Sequence, residues 1–294
     1  MTRSSHGALR RRILSWYGAT ARPLPWRNIK DPFRIIVSEV MLQQTQVSRV
    51  LVKYPQFVKQ FRSFRGLSTA TPGSVLRAWK GMGYYNRAIR LRELGKVVTH
   101  RLHGRLPRTV EGLQKLPGIG PYTARAVACF AFGVPTAVVD TNVSRVLARL
   151  FPKATRRLGF QAVADEFLPR RSAYNWNQAM MDFGATICTA RNPRCRHCPL
   201  RNLCPSAHRV QAPKVSATTE PTRAGIPRRI YRGRIIDALM RRRTMTLGDI
   251  GRAILTRYSD RDESWLREVL LTLERDRLLS LRRIGRFWIV SLVA

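Results

Sequence analysis

Four of the five cysteines fall in one short stretch, Cys188, Cys195, Cys198 and Cys204, spaced C-x6-C-x2-C-x5-C with Pro199 after the third. Thiols this close in sequence confine the chain between them to a tight loop. The remaining sequence points to an intracellular chain, where thiols stay reduced, so the cluster favours a metal centre over disulfides. Structural zinc and a [4Fe–4S] cluster both accept four thiolates, and spacing alone leaves the two open. Cys129 stands in an apolar helical run and reads as a buried small hydrophobe, not a ligand.

The intracellular expectation rests on charge and hydropathy. Lys and Arg number 54 against 17 Asp and Glu, a formal net charge of +37. A field of one sign attracts polyanions and says nothing of fold. At 44% hydrophobic content the chain is not a disordered basic tail, and 294 residues suffice for two or three domains. The longest mostly apolar stretch, Ala126–Val139, is interrupted by Gly133 and Pro135 and is too short to span a bilayer. No apolar run precedes Ile13, so the N-terminus does not read as a signal peptide. A cytoplasmic, nucleic-acid-binding protein is expected, with an anionic membrane surface as the weaker alternative.

Apolar periodicity up to residue 205 is helical throughout. A short helix over Leu9–Tyr17 precedes the Pro23–Pro25 break. Asp31–Pro32 opens a long helix reaching about Tyr54, with Pro32 where its missing N–H does no harm. Further helices are expected near Pro72–Lys80, Asn86–Arg101, Val110–Lys115, Tyr122–Phe132, Asn142–Phe151, Phe160–Leu168 and Asn175–Thr186. This part is an all-α body. Val210–Pro227 loses periodicity and reads as a linker. Beyond it, Ile230–Arg242, Thr246–Arg257 and Ser264–Asp276 look helical, and Leu279–Val293 looks like a hairpin turning at Ile284–Gly285–Arg286. The pattern predicts a small winged-helix-like domain over 228–294, with Arg241–Arg243, Arg282, Arg283 and Arg286 giving it a basic face. A docking domain with an ordinary solvated surface is the plainer alternative.

Leu116–Pro117–Gly118–Ile119–Gly120–Pro121–Tyr122–Thr123 has the form of a helix-hairpin-helix turn. Two glycines permit a tight turn, and Pro121 sits where the next helix begins. The amides exposed at such a helix start bind anions, and in so basic a chain a DNA phosphate is the obvious one. A mere turn between two helices is the alternative.

Six motifs then stand in order: Leu24–Pro25–Trp26–Arg27, Ser38–Glu39–Val40–Met41–Leu42–Gln43–Gln44–Thr45, Trp79–Lys80–Gly81–Met82–Gly83–Tyr84–Tyr85, the Leu116–Thr123 hairpin, Val139–Asp140–Thr141–Asn142–Val143 and the cysteine cluster. In these the chain resembles the MutY-type adenine DNA glycosylases of the helix-hairpin-helix/Gly-Pro-Asp base-excision superfamily, over roughly Leu14 to Pro205. The resemblance implies a helix-hairpin-helix glycosylase region over 1–209, with a six-helix domain at about 25–140 and an iron–sulfur domain from 1–24 and 141–209. It also implies a [4Fe–4S] cluster on the four cysteines, and a monomer acting on double-stranded DNA with a mismatch or oxidised base, associated with the nucleoid of a prokaryote.

Base excision stabilises a leaving nucleobase and an oxocarbenium-like sugar, which calls for an acid and a carboxylate of different pKa. Glu39 stands beside Ile35, Ile36 and Leu42 on its helix, and burial there would keep it protonated. Asp140 follows an apolar run and precedes a helix, where its charge could face the sugar cation. The plain alternatives are a surface Glu39 and an Asp140 that only caps its helix. By motif position, the resemblance makes Asn142 a partner of Asp140 and puts Trp26, Arg27 and Gln178 in the adenine pocket. It makes Gln44 and Tyr84 the side chains that wedge into the DNA stack as the nucleotide leaves it. Gly118 and Gly120, with Arg191, Arg194, Arg196 and Arg201 of the cysteine loop, would hold phosphates. Bifunctional relatives carry a Schiff-base lysine where Tyr122 stands, so a monofunctional glycosylase is expected.

Two features depart from the family pattern. Thr141 stands where glycine is usual, and the roughly 70 residues beyond the linker are too few for the Nudix-like domain that reads 8-oxoguanine. Adenine excision opposite 8-oxoguanine or guanine is the leading reading. A thymine or uracil glycosylase at G mispairs, and a non-catalytic iron–sulfur DNA-binding regulator, are the alternatives.

Overall fold

The computed structural model describes residues 3–209 and 220–293. Most of the expected linker, residues 210–219, lies outside the described residues, as do residues 1–2 and 294. The first part of the chain is helical: α1 (Arg3–Thr20), α2 (Pro32–Leu42), α3 (Val47–Phe61), α4 (Phe64–Thr69), α5 (Pro72–Ala78) and α6 (Asn86–Lys96). It continues through α7 (Val110–Gln114), α8 (Pro121–Phe132), α9 (Thr141–Leu150), α10 (Pro152–Leu158), α11 (Phe160–Phe167) and α12 (Ala173–Thr186). Among the described residues up to 209 there is no strand. None of the described helices is long and apolar enough to cross a membrane.

Helix starts follow local chemistry. Asp31 Oδ1 accepts the amide of Phe33 at 2.9 Å ahead of Pro32. Ser63, Thr71 and Thr109 cap α4, α5 and α7 through their hydroxyls. One expectation fails here. The predicted single helix from Asp31 to Tyr54 is two helices, α2 and α3, parted by a turn at 43–46. Gln44 has φ +52°, which no α-helix accommodates. Arg87 Nη1 donates to the carbonyls of Val40, Met41 and Gln43, oxygens a continuing helix would have used. The apolar period runs through the break unchanged, so periodicity alone does not signal it.

The chain forms two compact units. The first holds the chain up to Ile36, residues Pro107–Lys115, and the segment from Ile119 through the cysteine loop. In it α12 packs against both α1 and α9, His6 meets the rings of Phe151 and Phe167 edge-on, and Phe167 lies tilted against Phe151 and Trp176. Gly184 lets α12 approach α9: a Cβ there would lie 2.7 Å from Asn142 Cβ.

The second unit holds Val37–Leu106, Leu116–Gly118 and the C-terminal segment. Here α4 packs on α6, with Gly95 against the Phe64 carbonyl. The end of the expected linker is a small hairpin of β1 (Thr222–Arg223) and β2 (Ile226–Pro227). The C-terminal fold follows as α13 (Arg228–Arg241), β3 (Thr244–Thr246), α14 (Leu247–Ile254), α15 (Glu263–Arg275), β4 (Leu279–Ile284) and β5 (Phe287–Leu292). The antiparallel sheet has the order β3-β5-β4, so three helices and a three-stranded sheet stand in winged-helix order. The helix expected from Thr246 begins one residue later and ends at Ile254, and β3 before it was too short to show as an alternating pattern. Ile235, Leu239, Ile250, Leu266, Leu270 and Val290 fill the core of this fold. It is docked within its unit: α13 packs on α5, and Tyr85 Oη donates to Asp237 Oδ1 at 2.8 Å. Burial, reinforced by Asp237, pushes the Tyr85 hydroxyl well above its ordinary pKa.

Candidate active site and cysteine loop

Asp140 caps α9. Its Oδ1 accepts the Val143 amide at 2.6 Å, and its Oδ2 accepts Asn142 Nδ2 at 2.9 Å. The extended segment leading to it is pinned from two sides. Asn177 Oδ1 accepts the Val138 amide at 2.9 Å, and Asp165 Oδ1 accepts the Ala137 amide at 3.1 Å. Asn177 also donates to the Thr136 carbonyl and to Cys129 Sγ, which places Cys129 in the core as the sequence suggested. The carboxylate of Asp140 is therefore fixed in position while remaining only half-buried. Thr141, between Asp140 and Asn142, is exposed and takes no part in this bonding.

From Asn142 the network runs to the cysteine loop. Arg145 Nη2 donates to Asn142 Oδ1 at 2.8 Å and to the Gly184 carbonyl at 2.6 Å, while its Nε reaches the Cys188 carbonyl at 2.9 Å. One turn on, Arg149 donates to the carbonyls of Cys188, Thr189 and Ala190 and lies 3.2 Å from Cys188 Sγ. Cys188, Cys195, Cys198 and Cys204 line one cavity whose other walls include Val146, Leu150, Phe183 and Leu200. The Leu200 amide points at Cys198 Sγ, 3.4 Å away. Burial pushes the Cys198 thiol up to about 11 and raises that of Cys204. Arg191, Arg194, Arg196 and Arg201 are all exposed on this loop.

Trp26 and Arg27 are buried in the same unit. Arg27 makes a two-pronged ion pair with Asp182 of α12, Nη2 to Oδ1 at 2.7 Å and Nη1 to Oδ2 at 2.8 Å. Arg22 Nε adds a third contact at 2.7 Å. Burial alone would raise the Asp182 carboxyl, but the hydrogen bonds and charges of Arg27 and Arg22 outweigh it and hold its pKa below the ordinary value. Gln178 lies one helical turn before Asp182 and is also buried, so both project from one face of α12. The Nε of Arg27 is buried with no hydrogen-bond partner. Tyr122 stands half-buried in the first turn of α8.

The hairpin before α8 needs only one of its two glycines for its torsions. Gly118 has φ +78°, and a Cβ there would come within 3.1 Å of Arg90 Cβ. Gly120 has an ordinary φ of −84°, and a side chain there would meet nothing within 4 Å. Its bareness leaves the amides at the start of α8 open to approach.

In the second unit Glu39 is 6% exposed near the end of α2, so it is not a surface residue. Gln44 and Tyr84 are exposed at the tips of two turns, and both hold a left-handed backbone, φ +52° and +46°. Such torsions persist in non-glycine residues only when the surroundings impose them. Arg87 imposes these: besides the three carbonyls of the first turn, its Nη2 donates to Thr45 Oγ1 and to the carbonyls of Met82 and Gly83. One buried guanidinium thus locks both turns together. Burial lowers its pKa to about 10.

Residues 37–158 match the HhH-GPD superfamily of base excision DNA repair proteins. The adenine DNA glycosylase of Mycobacterium tuberculosis is 39% identical over 272 residues, which cover 88% of this chain and 89% of that protein. The chain belongs to the MutY-type branch of this superfamily. The mouse adenine DNA glycosylase is 40% identical over 230 residues, but the match spans only 44% of its length. Among solved structures, that of a thermostable thymine-DNA glycosylase superposes with a TM-score of 0.67 at 30% identity, over 70% of this chain and 98% of its own. The mycobacterial match covers 88% of this chain, so it reaches into the C-terminal segment.

Three residues that sequence reasoning left without a role organise these sites: Arg87, Arg145 and Asp182. Asp182 had a signal, since it stands one turn beyond Gln178 in the motif Asn177–Gln178–Ala179–Met180–Met181–Asp182. Arg87 and Arg145 had none. In a chain with 54 basic residues, two more on helices look like solvated surface.

Proposed function

We propose that this chain is a monofunctional DNA glycosylase of base excision repair that hydrolyses the N-glycosidic bond of adenine mispaired with 8-oxoguanine or guanine in double-stranded DNA. The observation that carries the reading is an Asp140 carboxylate fixed by amide donors rather than by a cation, in a chain so similar to a mycobacterial adenine glycosylase. In this reading Glu39 delivers a proton to a ring nitrogen of the leaving adenine as the bond from C1′ breaks. Asp140 stabilises the sugar cation until water adds at C1′. Asn142 orients Asp140, and Trp26, Arg27 and Gln178 form the base pocket. Gln44 and Tyr84 enter the stack vacated by the flipped nucleotide. Tyr122 has no amine and forms no Schiff base, so the product is an intact abasic site. Gly118, Gly120 and the loop arginines hold phosphates, and the protein works as a monomer.

The cysteine loop fits a [4Fe–4S] cluster. The four thiols line one cavity with largely apolar walls, and four thiolates are the donor set such a cluster takes. Cys188, Cys195, Cys198 and Cys204 would hold the cluster, which when bound supplies iron–thiolate bonds that cross-link the loop. Arg145 and Arg149 tie that loop to the helix that Asp140 caps.

The likeness to a thymine-DNA glycosylase structure supports a second reading, excision of thymine or uracil opposite G. A panel of duplexes carrying A:8-oxoguanine, A:G, T:G and U:G decides between them. Adenine release is expected from the first two, with no strand cleavage before alkali. Glu39→Gln should abolish release while sparing duplex binding. Near wild-type release by that variant would remove Glu39 as the acid, and release confined to T:G and U:G would overturn the adenine reading.

A further inference from the structure

The hairpin of β4 and β5 ends in a tight turn, with Gly285 at φ +58° as the first of its two central residues. That places glycine where a type II′ turn requires it. The residues flanking the turn, Ile284 and Phe287, face each other across the ladder and are 64% and 53% exposed. Scattered apolar residues on a surface need no explanation, but a cross-strand pair at the tip of a projecting ribbon does. Nothing in the C-terminal fold buries them, since its core is closed by residues further down the strands, Val290 above all.

The surroundings of the pair are basic. Arg282 shares the face of Ile284 by the alternation of the strand, Arg283 and Arg286 flank the turn, and the Arg286 guanidinium lies over the Phe287 ring at 5.1 Å. From Arg277 to the end of the sequence there is no acidic residue. Helix α15 differs. Its exposed positions include the carboxylates of Glu263 and Glu268, and its Arg267 is drawn over the ring of Trp288 at 4.5 Å. On α15 the exposed Glu263 and Glu268 are balanced by Arg267 and Arg275, whereas the exposed charges of the ribbon are all positive, so a polyanion is drawn to the ribbon. The ribbon is also no free appendage, since its fold is held in one unit with the turn that bears Tyr84 through the Tyr85–Asp237 hydrogen bond and the packing of α13 on α5.

We propose that the β4–β5 ribbon, and not helix α15, is a second DNA-contacting element, in which Arg282, Arg283 and Arg286 grip the backbone while Ile284 and Phe287 insert between base steps from the minor groove. Apolar side chains flanked by arginines on an extended element are the chemistry that unstacks a step and bends the duplex. The inference rests on duplex DNA being the partner, but not on which base is excised.

The test uses the full-length protein and an undamaged 30-base-pair duplex labelled at both ends, read by anisotropy for affinity and by energy transfer for bending. Ile284→Ala/Phe287→Ala should lose about tenfold or more in affinity, as expected for removing two large apolar side chains that the complex would bury. It should also lose the bend while keeping the salt dependence. Arg282→Ala/Arg283→Ala/Arg286→Ala should make the slope of log K against log salt shallower by about 0.9 per lost phosphate contact. Both variants change exposed side chains only, and unchanged thermal unfolding verifies that they fold. Wild-type affinity and bending in the apolar variant would overturn the proposal. So would a loss confined to binding of phosphatidylserine vesicles, or a shift from dimer to monomer in sedimentation, which would give the tip to a membrane or to a second copy. Because no excision is measured, this test can fail while the glycosylase reading stands, and the mismatch panel can fail while the ribbon binds.

Discussion

Asp140 and Asp182 sit in the same unit, and their neighbours are opposite in kind. Asp182 has a side chain 1% exposed and bonded to two guanidinium groups, so its charge is cancelled where it stands. Asp140 accepts from a helix-terminal amide and a carboxamide, neutral donors that fix its orientation without cancelling its charge. A carboxylate matched by cations holds a structure together, and a carboxylate matched by dipoles keeps its field available for a cation that appears only in a transition state. The same residue type, some forty positions apart, thus serves packing in one place and, in the proposed reading, offers chemistry in the other.

The comparison breaks first at Asp182. Asp182→Asn leaves Arg27 buried without its counter-charge, so unfolding free energy in urea should fall by about 3–5 kcal/mol. The pH dependence carries the same signature. Because the folded-state pKa of Asp182 is lowered, its stabilisation is fully present above the unfolded-state value of about 3.9 and is lost as pH falls through the folded one. Wild-type stability should therefore drop more steeply than that of the variant below about pH 4. Parallel acid limbs would mean that the pair contributes packing and not charge.

Asp140→Asn is the converse experiment. Asparagine caps helices as well as aspartate does, so stability should change by no more than about 0.5 kcal/mol. Excision should nevertheless fall by about 10²–10³-fold, the usual loss when one preorganised electrostatic group is removed from a reacting centre. If excision survives, Asp140 is only a cap, and the contrast with Asp182 is one of burial alone.

How much of this the sequence carried depends on how far apart the interacting residues lie. Pro32, Gly118 and the turn at Ile284–Gly285–Arg286 act within a few residues of themselves, and the structure has them where local chemistry puts them. The break between α2 and α3 depends on Arg87, more than forty positions away, so periodicity carried the helix through it. Asp140 and Asn142 were legible as a pair because they are two residues apart. The line from Asn142 through Arg145 to Cys188 was not, because it exists only once α9 lies along α12, a contact that Gly184 permits. Glu39 shows the middle case: apolar neighbours on its own helix anticipated its burial, and it is buried.

The smallest expected effect is at Thr141, where the family resemblance leads one to expect glycine. Its side chain is exposed, and the bonds that fix Asp140 run to Val143 and Asn142 on either side of it. Thr141→Gly adds backbone freedom at the first turn of α9, which should cost about 0.5 kcal/mol or less in unfolding free energy. If the neutral donors alone hold the carboxylate, single-turnover excision of adenine should change by less than about threefold, since such a change is under 1 kcal/mol. A larger fall at unchanged stability would show that the stiffness of threonine, and not the hydrogen bonds, sets where Asp140 points. The carboxylate would then be positioned by backbone restraint, and its difference from Asp182 would lie in geometry before charge.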